Sequence, residues 1–297
     1  MKNRVLVTGG TGMLGSAIIK ALGDEYETIS VSRTLANPQA AVSLNADLSE
    51  AGSAKAVIEK TRPDAVIHCA ALTDVEECQR NPVKARAVNA LATGYLVEAA
   101  APETRFIYIS TDAVFDGRRG MYSELDEPSC VNDYAGTKLE GEGFAKGKPG
   151  SCLILRINMI GHQPIRGQSL AEWVAHNLEA KRPIRMFTDI IFSPLWTGTL
   201  AGYIKRLLPS GETGYLHLGS RGGTSKYEFG CRLAGRLGLD ASLIRPASVD
   251  GMDFLAKRPK NTTLDASKAE KILGRMPRLD REIDRWCAEE RARSAVR

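Results

Sequence analysis

The residues best suited to chemistry are a tyrosine and a lysine four positions apart, Tyr134 and Lys138. Residues at this spacing lie on one face of a helix, so a phenol and an ammonium would be neighbours. A free phenol has a pKa of about 10, which is poorly matched to proton transfer near neutral pH. An adjacent positive charge favours the phenolate and lowers that pKa. The pair therefore predicts a tyrosine that acts in acid–base catalysis.

A second polar cluster, Ser110-Thr111-Asp112, directly follows a strand-like run. Ligands of open α/β sheets bind at the carboxyl ends of the strands. A hydroxyl at this position could therefore hydrogen-bond a substrate oxygen beside Tyr134. We assign this role to Thr111, with Ser110 as the second choice. The alternative is that the cluster only forms a hydroxyl-capped turn at the end of the strand.

A glycine-rich turn joins the first strand-like run to the first predicted helix. In such a turn the first glycine allows the tight bend, the second lets the backbone approach a pyrophosphate, and the third lets the helix pack on the strand. The free N–H groups at the helix N-terminus would face the phosphates. The alternative is a tight connection without a ligand. The pattern predicts a dinucleotide site made of Gly9, Thr11, Gly12, Met13, Leu14 and Gly15.

The end of the second strand distinguishes NAD from NADP. An acidic residue there would bind the ribose 2′-hydroxyl, but this chain has Ser32-Arg33. The Arg33 guanidinium can pair with a 2′-phosphate, whereas the alternative is an exposed arginine without a ligand. We therefore predict NADPH, with NADH also accepted. Oxidised nicotinamide is positively charged and would favour the phenolate further, so Tyr134 is predicted to be the general acid when a carbonyl is reduced.

Strand and helix patterns alternate along the first half of the chain. The predicted strands cover residues 4–8, 28–32, 41–44, 65–69, 105–109 and 152–157, and the helices cover 12–22, 53–60, 82–100 and 133–145. This alternation predicts an α/β protein with a Rossmann-type doubly wound parallel sheet. Residues 1–160 form the predicted NADP-binding domain that carries the catalytic residues. Residues 161–297 form a smaller α+β portion, mainly substrate-binding, of which some segments return to the first domain.

The predicted elements of the second half are shorter and less regular. Helices are expected at residues 169–180, 199–208, 226–237, 266–273 and 281–291, and strands at 183–187, 215–218 and 244–249.

Composition excludes several classes of protein. The 297 residues are 43% hydrophobic and 25% charged, as in soluble globular proteins. No apolar run is long enough to span a bilayer, and no secretory segment precedes the first strand. Six scattered cysteines without a CxxC pair predict reduced thiols and a cytoplasmic location. Four histidines without ligand spacing predict no transition-metal site.

The charge is divided unevenly between the two halves. Residues 1–150 have 16 basic and 20 acidic residues, a net charge of −4, and residues 151–297 have 24 and 15, a net charge of +9. Either this is a chance bias of a solvated surface or the second half handles an anionic substrate. The overall charge of +5 is too small to indicate nucleic acid.

With these motifs in place, the chain resembles the extended short-chain dehydrogenases/reductases, and among them most closely the dTDP-4-dehydrorhamnose reductase family. The similarity extends over nearly the whole chain. It is carried by residues 7–15, 68–75, 88–89, 110–117, 134–142, 155–156, 192–194, 217–218, 224–225, 258–259 and 264–265.

The resemblance implies reduction by NAD(P)H of the 4-keto group of a nucleoside-diphosphate 4-keto-6-deoxyhexose, a step of deoxysugar biosynthesis. Tyr134 would protonate the sugar oxygen, Thr111 would orient the carbonyl, and Lys138 would tune Tyr134 and hold the nicotinamide ribose. The implied cofactor contacts further include Asp47, Leu48, Cys69, Ala70, Ala71 and Thr73, and the implied substrate contacts are Val75, Thr111, Asp112, Met159 and Arg258. On sequence alone Asp47 could equally belong to the N-cap region of the next helix, and His68 reads as a strand histidine.

The chain also departs from the family pattern. Many members have an aromatic residue soon after the strand that contains Leu155-Arg156, and the nearest equivalent in this chain is Met159. Ala113 replaces the glutamate of the related 4,6-dehydratases, which argues against water elimination. Arg156, Arg166 and Arg258 are candidate contacts to an anionic substrate. The nucleotide base, the sugar stereochemistry, a divalent-ion requirement and the oligomeric state stay open, and the resemblance allows a homodimer.

Two other functions compete with reduction. One is a non-catalytic, NADP-binding regulatory subunit of another enzyme, which retention of Thr111, Tyr134 and Lys138 argues against. The other is a nucleotide-sugar epimerase, or a reductase of another small carbonyl compound.

Overall fold

The structure, a computed structural model, describes residues 2–34, 36–148, 150–164 and 168–295. Its core is a seven-stranded sheet in which every neighbouring pair is parallel. The strands of the described residues are β1 (Arg4–Thr8), β2 (Glu27–Ser32), β3 (Val42–Asn45), β4 (Ala65–His68), β5 (Arg105–Thr111), β6 (Cys152–Ile157), β7 (Met159–Ile160), β8 (Ile184–Phe187), β9 (Ile191–Phe192), β10 (Leu195–Trp196), β11 (Gly214–Leu218), β12 (Thr224–Ser225) and β13 (Ile244–Ala247). The order across the large sheet is β11-β6-β5-β4-β1-β2-β3.

Helices cover both faces of this sheet. The helices of the described residues are α1 (Met13–Leu22), α2 (Ala51–Thr61), α3 (Val75–Arg80), α4 (Pro82–Arg86), α5 (Ala92–Ala99), α6 (Asp133–Lys146), α7 (Leu170–Glu179), α8 (Thr197–Leu207), α9 (Lys226–Leu237), α10 (Ser267–Leu273) and α11 (Leu279–Ser294). Helices α1, α8 and α10 contribute to the hydrophobic cluster on one face, and α2, α5 and α6 to the cluster on the other.

The central strands are apolar on both faces, as a sheet covered by helices requires. Val5, Leu6 and Val7 of β1 are fully buried, and every residue of β4, β5 and β6 is buried. The predicted α/β class with a doubly wound parallel sheet is confirmed.

A second, smaller hydrophobic core lies beside the sheet. It is formed by α7, α9 and α11 around buried aromatic side chains, among which Trp286, Phe192 and Phe229 are the largest. Two-stranded pairs β7–β10, β9–β12 and β8–β13 complete this portion. No helix among the described residues is both long enough and apolar enough to cross a membrane.

The second half also supplies one strand to the large sheet. Strand β11 pairs in parallel with β6, from Gly214 opposite Leu153 to Leu218 opposite Ile157. A domain boundary at residue 160 stays a prediction, because a segment of the later portion extends the sheet of the earlier one.

The predicted helix over residues 82–100 is not continuous in the structure. The pattern over residues 82–100 predicts one helix, but the structure has α4, a π-helical turn at Ala87–Leu91, and then α5. Asn89 of this turn is fully buried. Its amide side chain binds the backbone of Leu72 and donates to the hydroxyl of Thr137. These tertiary bonds accompany the wider turn and link it to α6.

Candidate active site

A cavity of about 700 Å³ lies at the carboxyl edge of the large sheet, the edge at which open α/β folds bind ligands. Its volume is within the range of small-molecule and cofactor sites. It is bounded by the glycine-rich turn, the ends of β2, β4 and β5, and the start of α6. The residues predicted from sequence that line it are Gly9, Thr11, Gly12, Met13, Leu14, Gly15, Ser32, Arg33, Asp47, Leu48, Cys69, Ala70, Ala71, Thr73, Thr111, Asp112, Tyr134, Lys138 and Met159.

The three glycines of the turn have different environments. Gly9 has φ +62°, and a Cβ there would lie 2.9 Å from the backbone nitrogen of Ala70. A Cβ on Gly15 would collide with the carbonyl oxygen of Gly9, so the third glycine permits close packing of α1. Among the described residues, a Cβ on Gly12 would have only the Gly9 oxygen within 4 Å, at 3.2 Å. The backbone at Gly12 is therefore open toward the cavity, beside the free N–H groups of the first turn of α1.

Thr8, which sequence reasoning missed, fixes the backbone at one wall of the cavity. The hydroxyl of Thr8 accepts from the backbone N–H groups of Cys69 and Ala70, both at 3.1 Å, and lies 2.6 Å from Nδ1 of His68. Because two donors reach the hydroxyl oxygen, its own hydrogen is directed to Nδ1. Burial lowers the pKa of His68 to about 3, with Lys138 lowering it further. His68 is thus a neutral strand histidine, as expected from sequence.

Asp47 and Arg33 lie at the exposed rim of the groove. The Asp47 carboxylate accepts from the backbone N–H and the hydroxyl of Ser49, at 3.0 and 2.7 Å. These bonds hold the pKa of Asp47 below its usual value, and the Arg33 guanidinium lowers it further. The N-cap residue of α2 is Glu50, so the alternative that Asp47 caps this helix is wrong.

The predicted tyrosine and lysine lie in the first turns of α6. The side chain of Asn132 caps this helix through the backbone N–H of Ala135, at 2.9 Å. The Lys138 ammonium is buried, donates to the backbone oxygen of Ile109 at 2.8 Å, and lies 4.1 Å from the ring centroid of Tyr108. Burial lowers the pKa of Lys138 to about 8.

The Tyr134 phenol is more weakly acidic than the sequence led us to expect. Its pKa is raised to about 12, chiefly by burial and in smaller part by the Asp112 carboxylate, while the Thr111 side chain opposes the rise. The expected lowering of this pKa is therefore not found in the protein alone. At neutral pH the phenol keeps its proton and can act as a donor.

The two hydroxyls after β5 have separate partners. The Ser110 hydroxyl donates to the buried carboxylate of Glu142 at 2.5 Å, and Ser110 also lines the cavity, so its role as the second choice stays a prediction. The Thr111 hydroxyl accepts from the backbone N–H of Ala113 at 3.1 Å and donates to Asp112 at 3.2 Å. Thr111 thus forms the cap that the alternative interpretation predicts.

The predicted anion contact at Arg156 is wrong. Its side chain is buried and forms two bonds to Glu142 of α6, at 3.0 and 2.7 Å. The guanidinium also packs on the rings of Phe115 and Tyr215. It therefore has no surface to offer a substrate.

Two other predicted contacts do not line the cavity, and a third, Arg166, lies outside the described residues. Val75 and Arg258 are not among the residues that line the cavity. Val75 begins α3, and the half-buried guanidinium of Arg258 binds Glu76 at 2.9 Å. Their assignment as substrate contacts stays a prediction.

Sequence reasoning also missed the surroundings of Asp112. Its carboxylate accepts from Thr262 and from Asn158, and the Lys226 ammonium is close enough to affect its pKa. Thr262 and Lys226 are more than 100 positions away in the chain. The signal that could have marked Lys226 is its position directly after Thr224-Ser225, a segment that the family resemblance already singled out.

Comparisons with known proteins agree with this geometry. The profile of a family described as the RmlD substrate binding domain matches residues 2–290. The chain is 33% identical to the Haloferax volcanii protein named "Probable low-salt glycan biosynthesis reductase Agl14", over 90% of this chain and 91% of that protein. It is 30% identical to methionine adenosyltransferase 2 subunit beta of Mus musculus, over 91% and 82% of the two chains. A crystal structure of dTDP-4-dehydrorhamnose reductase from Bacillus anthracis in complex with NADP superposes with a TM-score of 0.87 at 25% identity, covering 97% of this chain and 100% of that one.

Proposed function

The chain belongs to the RmlD substrate binding domain family, and from that premise we propose that it reduces the keto group of a nucleotide sugar with NADPH. The substrate class is a nucleoside-diphosphate 4-keto-6-deoxyhexose, as for a dTDP-4-dehydrorhamnose reductase. One observation carries the proposal: Thr111, Tyr134 and Lys138 line the same cavity as the glycine-rich turn.

The described residues fit a dinucleotide. The open backbone at Gly12 and the first turn of α1 suit a pyrophosphate, and Arg33 at the rim suits a 2′-phosphate. When bound, NADPH supplies a hydride, and NADH could replace it. The residues that would hold the cofactor are Gly9, Thr11, Gly12, Met13, Leu14, Gly15, Ser32, Arg33, Asp47, Leu48, Cys69, Ala70, Ala71, Thr73, Tyr134 and Lys138.

Tyr134 holds the proton that the reaction consumes. Its raised pKa keeps the phenol protonated at neutral pH, and a sugar oxygen that becomes an alkoxide is a far stronger base. Thr111 orients the sugar oxygen beside the phenol. The Lys138 ammonium, fixed by the backbone oxygen of Ile109, would hold the nicotinamide ribose.

Substrate recognition is assigned to Val75, Thr111, Asp112, Met159 and Arg258. The net charge of +9 in the second half suits the pyrophosphate of such a substrate. All six cysteines are free thiols, which supports a cytoplasmic location. A homodimer is a further prediction, which sedimentation of the purified protein would check.

A second candidate is a non-catalytic, NADP-binding subunit of another enzyme, favoured by the similarity to methionine adenosyltransferase 2 subunit beta. An epimerase would isomerise its substrate without net consumption of NADPH. Both alternatives differ from a reductase in their use of cofactor.

The test is NADPH oxidation with a panel of nucleoside-diphosphate 4-keto sugars. We expect turnover by the wild type and a loss of about 10²–10⁴-fold in Tyr134→Phe, the usual contribution of a general acid. NADPH affinity should be retained. Tyr95→Phe, a substitution on α5, is the matched control and should leave turnover unchanged. Tight NADPH binding without turnover on any sugar would favour the regulatory subunit, and isomerisation without oxidation would favour the epimerase.

A further inference from the structure

Residues 254–258 form a strap that joins the later portion of the chain to the helices around the candidate active site. At the start of the strap, the ring of Phe254 lies 6.0 Å from the ring of Phe187, the last residue of β8. Just beyond its end, the backbone N–H of Asn261 donates to the backbone oxygen of Gly117 at 2.8 Å. Segments that are far away in the sequence therefore hold the strap at both ends.

The carboxylate of Glu76 fixes the middle of the strap. Glu76 is the second residue of α3 and accepts from the backbone N–H groups of Leu255, at 3.2 Å, and Ala256, at 3.4 Å. It also accepts from the guanidinium of Arg258 at 2.9 Å. All three donors belong to the strap, and Lys257 lies between them in the chain. The position of Glu76 therefore determines the position of the Lys257 backbone.

Asn132 connects the strap to the helix that carries Tyr134. Its side-chain oxygen Oδ1 accepts from the backbone N–H of Ala135 at 2.9 Å and thereby caps α6. Its side-chain nitrogen Nδ2 donates to the backbone oxygen of Lys257 at 2.8 Å. The backbone oxygen of Asn132 accepts from the N–H of Gly136 at 3.0 Å. Tyr134 lies within both hydrogen-bonded rings of the first turn, so the Asn132 side chain joins the backbone of Tyr134 to the strap.

The residue type at position 132 fits two tasks, of which helix capping is only one. Aspartate and serine cap helices as well as asparagine does. The asparagine carboxamide provides an acceptor and a donor on two separate atoms, whereas an ionised aspartate has no donor. A serine hydroxyl is a single atom that would have to replace both Oδ1 and Nδ2. Capping by itself therefore does not account for an asparagine whose second atom binds Lys257.

We propose that Asn132 is a positioning residue, which holds Tyr134 at the substrate by joining the first turn of α6 to the strap that Glu76 fixes. The proposal deepens the proposed function and rests on it. The strap carries Arg258, which belongs to the proposed substrate contacts, so a chain of hydrogen bonds connects that contact with the proton donor. When the bond to Lys257 is lost, α6 keeps its cap, but the orientation of Tyr134 relative to the strap is no longer fixed.

The first experiment measures amide hydrogen exchange by NMR, without cofactor or substrate. Asn132→Asp retains an oxygen that caps α6 but loses the donor to Lys257. We expect exchange at the amides of Leu255 and Ala256 to become about fivefold faster, the value of roughly one hydrogen bond, although their acceptor Glu76 is intact. Asn132→Ser should have the same effect, which excludes an effect of the added charge. Unchanged exchange at these two amides in both variants would overturn the proposal.

The second experiment tests the same connection from the other end. In Glu76→Ala the strap loses its acceptor, and we expect faster exchange at the Ala135 amide, whose own acceptor is untouched. Glu77→Gln is the matched control, because Glu77 is the next residue of α3 and its carboxylate binds Lys84 at 2.9 Å. This control should keep wild-type exchange at Ala135. If Glu76→Ala does not fold, Glu76→Gln, which removes the charge that pairs with Arg258, should give a smaller change of the same sign. Wild-type exchange at Ala135 in the folded Glu76 variant would contradict the proposal.

The third experiment is kinetic and uses NADPH with the 4-keto sugar that the wild type reduces. In Asn132→Asp we expect kcat to fall about tenfold, because a misplaced general acid loses part of its contribution. The KM for NADPH and the urea midpoint of unfolding should be retained, since the cavity and the helix cap are intact. A residue with a merely structural role would lower the urea midpoint and leave kcat of the folded enzyme unchanged, and that result would refute the proposal.

A double variant tests whether Asn132 and Glu76 act through the same connection. Glu76→Ala should also lower kcat, and it should add little to the loss in Asn132→Asp. Fully additive losses would show that the two residues act independently and would count against the proposal. Absence of turnover by the wild type would count against the proposed function alone, because hydrogen exchange still decides whether the strap and α6 are connected.

Discussion

Lys138 lies over the ring of Tyr108, with the ammonium nitrogen 4.1 Å from the ring centroid. Tyr108 is itself fully buried in β5, so the cation rests on the packed interior of the sheet. The ammonium donates a hydrogen bond to the backbone oxygen of Ile109. The ring and the backbone oxygen fix the position of the ammonium for catalysis, but burial of its charge lowers the free energy of unfolding.

Replacement of Lys138 should therefore stabilise the protein while it removes activity. The folded-state pKa of about 8 lies below the ordinary value of 10.5. Below pH 8 both folded and unfolded chains are protonated and the full cost of burying the charge is present, and it disappears as the pH rises from 8 to 10.5. We expect Lys138→Met to have a higher free energy of unfolding at pH 7, by about 1 kcal/mol, and an advantage that shrinks toward pH 10. Urea denaturation at both pH values checks this, and a variant less stable at pH 7 would contradict it.

Arg33 should decide the choice between the two nicotinamide cofactors. Arg33→Ala is expected to weaken NADPH binding by about 10- to 100-fold, the usual value of one charge-assisted hydrogen bond. NADH, which lacks the 2′-phosphate, should bind as before. Fluorescence titration of both cofactors gives the ratio, with the exposed Arg281→Ala as control. Equal weakening of both cofactors would mean that Arg33 does not contact the 2′-phosphate.

Gly12 should be required for cofactor binding and dispensable for folding. Its φ of −81° suits any residue, and a Cβ there would have one protein neighbour, at 3.2 Å. Gly12→Ala is therefore expected to change the unfolding free energy by less than about 1 kcal/mol and to weaken NADPH binding at least tenfold. Gly52→Ala, on α2 with no atom within 4 Å, is the matched control for both measurements. A variant that binds NADPH normally would place the pyrophosphate elsewhere.

The buried ion pair between Arg156 and Glu142 should contribute to stability and not to substrate affinity. Removing one partner leaves the other charge buried and alone, so Arg156→Met is expected to cost about 3–5 kcal/mol of unfolding free energy. The double variant Arg156→Met/Glu142→Leu should recover much of that loss. Urea denaturation and the KM for the keto sugar separate the two roles, and a raised KM with unchanged stability would restore Arg156 as an anion contact.

Much of the fold can be predicted from the sequence because its signals are local. Helix α9 begins and ends at the predicted residues, since the capping box at Ser225 and the left-handed Gly238 mark its ends. The short α3 was missed, and the π-helical turn at Ala87–Leu91 was read as ordinary helix. That turn depends on bonds from Asn89 to distant segments, which no periodicity reports.

In the candidate site, too, some residues can be predicted from local motifs and others cannot. The glycine-rich turn, Thr111, Tyr134 and Lys138 follow from motifs, and the structure brings them to one cavity. The hydrogen bond from Thr262 to Asp112 joins residues 150 positions apart, and no local sequence pattern predicts it. Arg156 was misassigned because an arginine in an apolar strand suggests a functional charge. Its partner in the buried ion pair, Glu142, is identified only in the structure.

Strand β11, which the second half of the chain adds to the large sheet, has a consequence for protein engineering. Because β11 is an outer strand of the cofactor-side sheet, a truncated chain ending near residue 160 would present β6 as a bare edge, a template for aggregation. A chimaera that takes its later half from a relative would likewise pair a foreign strand with β6. It would also replace Tyr215, the ring on which the guanidinium of Arg156 packs, by the residue of the relative. Recombination between family members should therefore keep residues 214–218 with the first half.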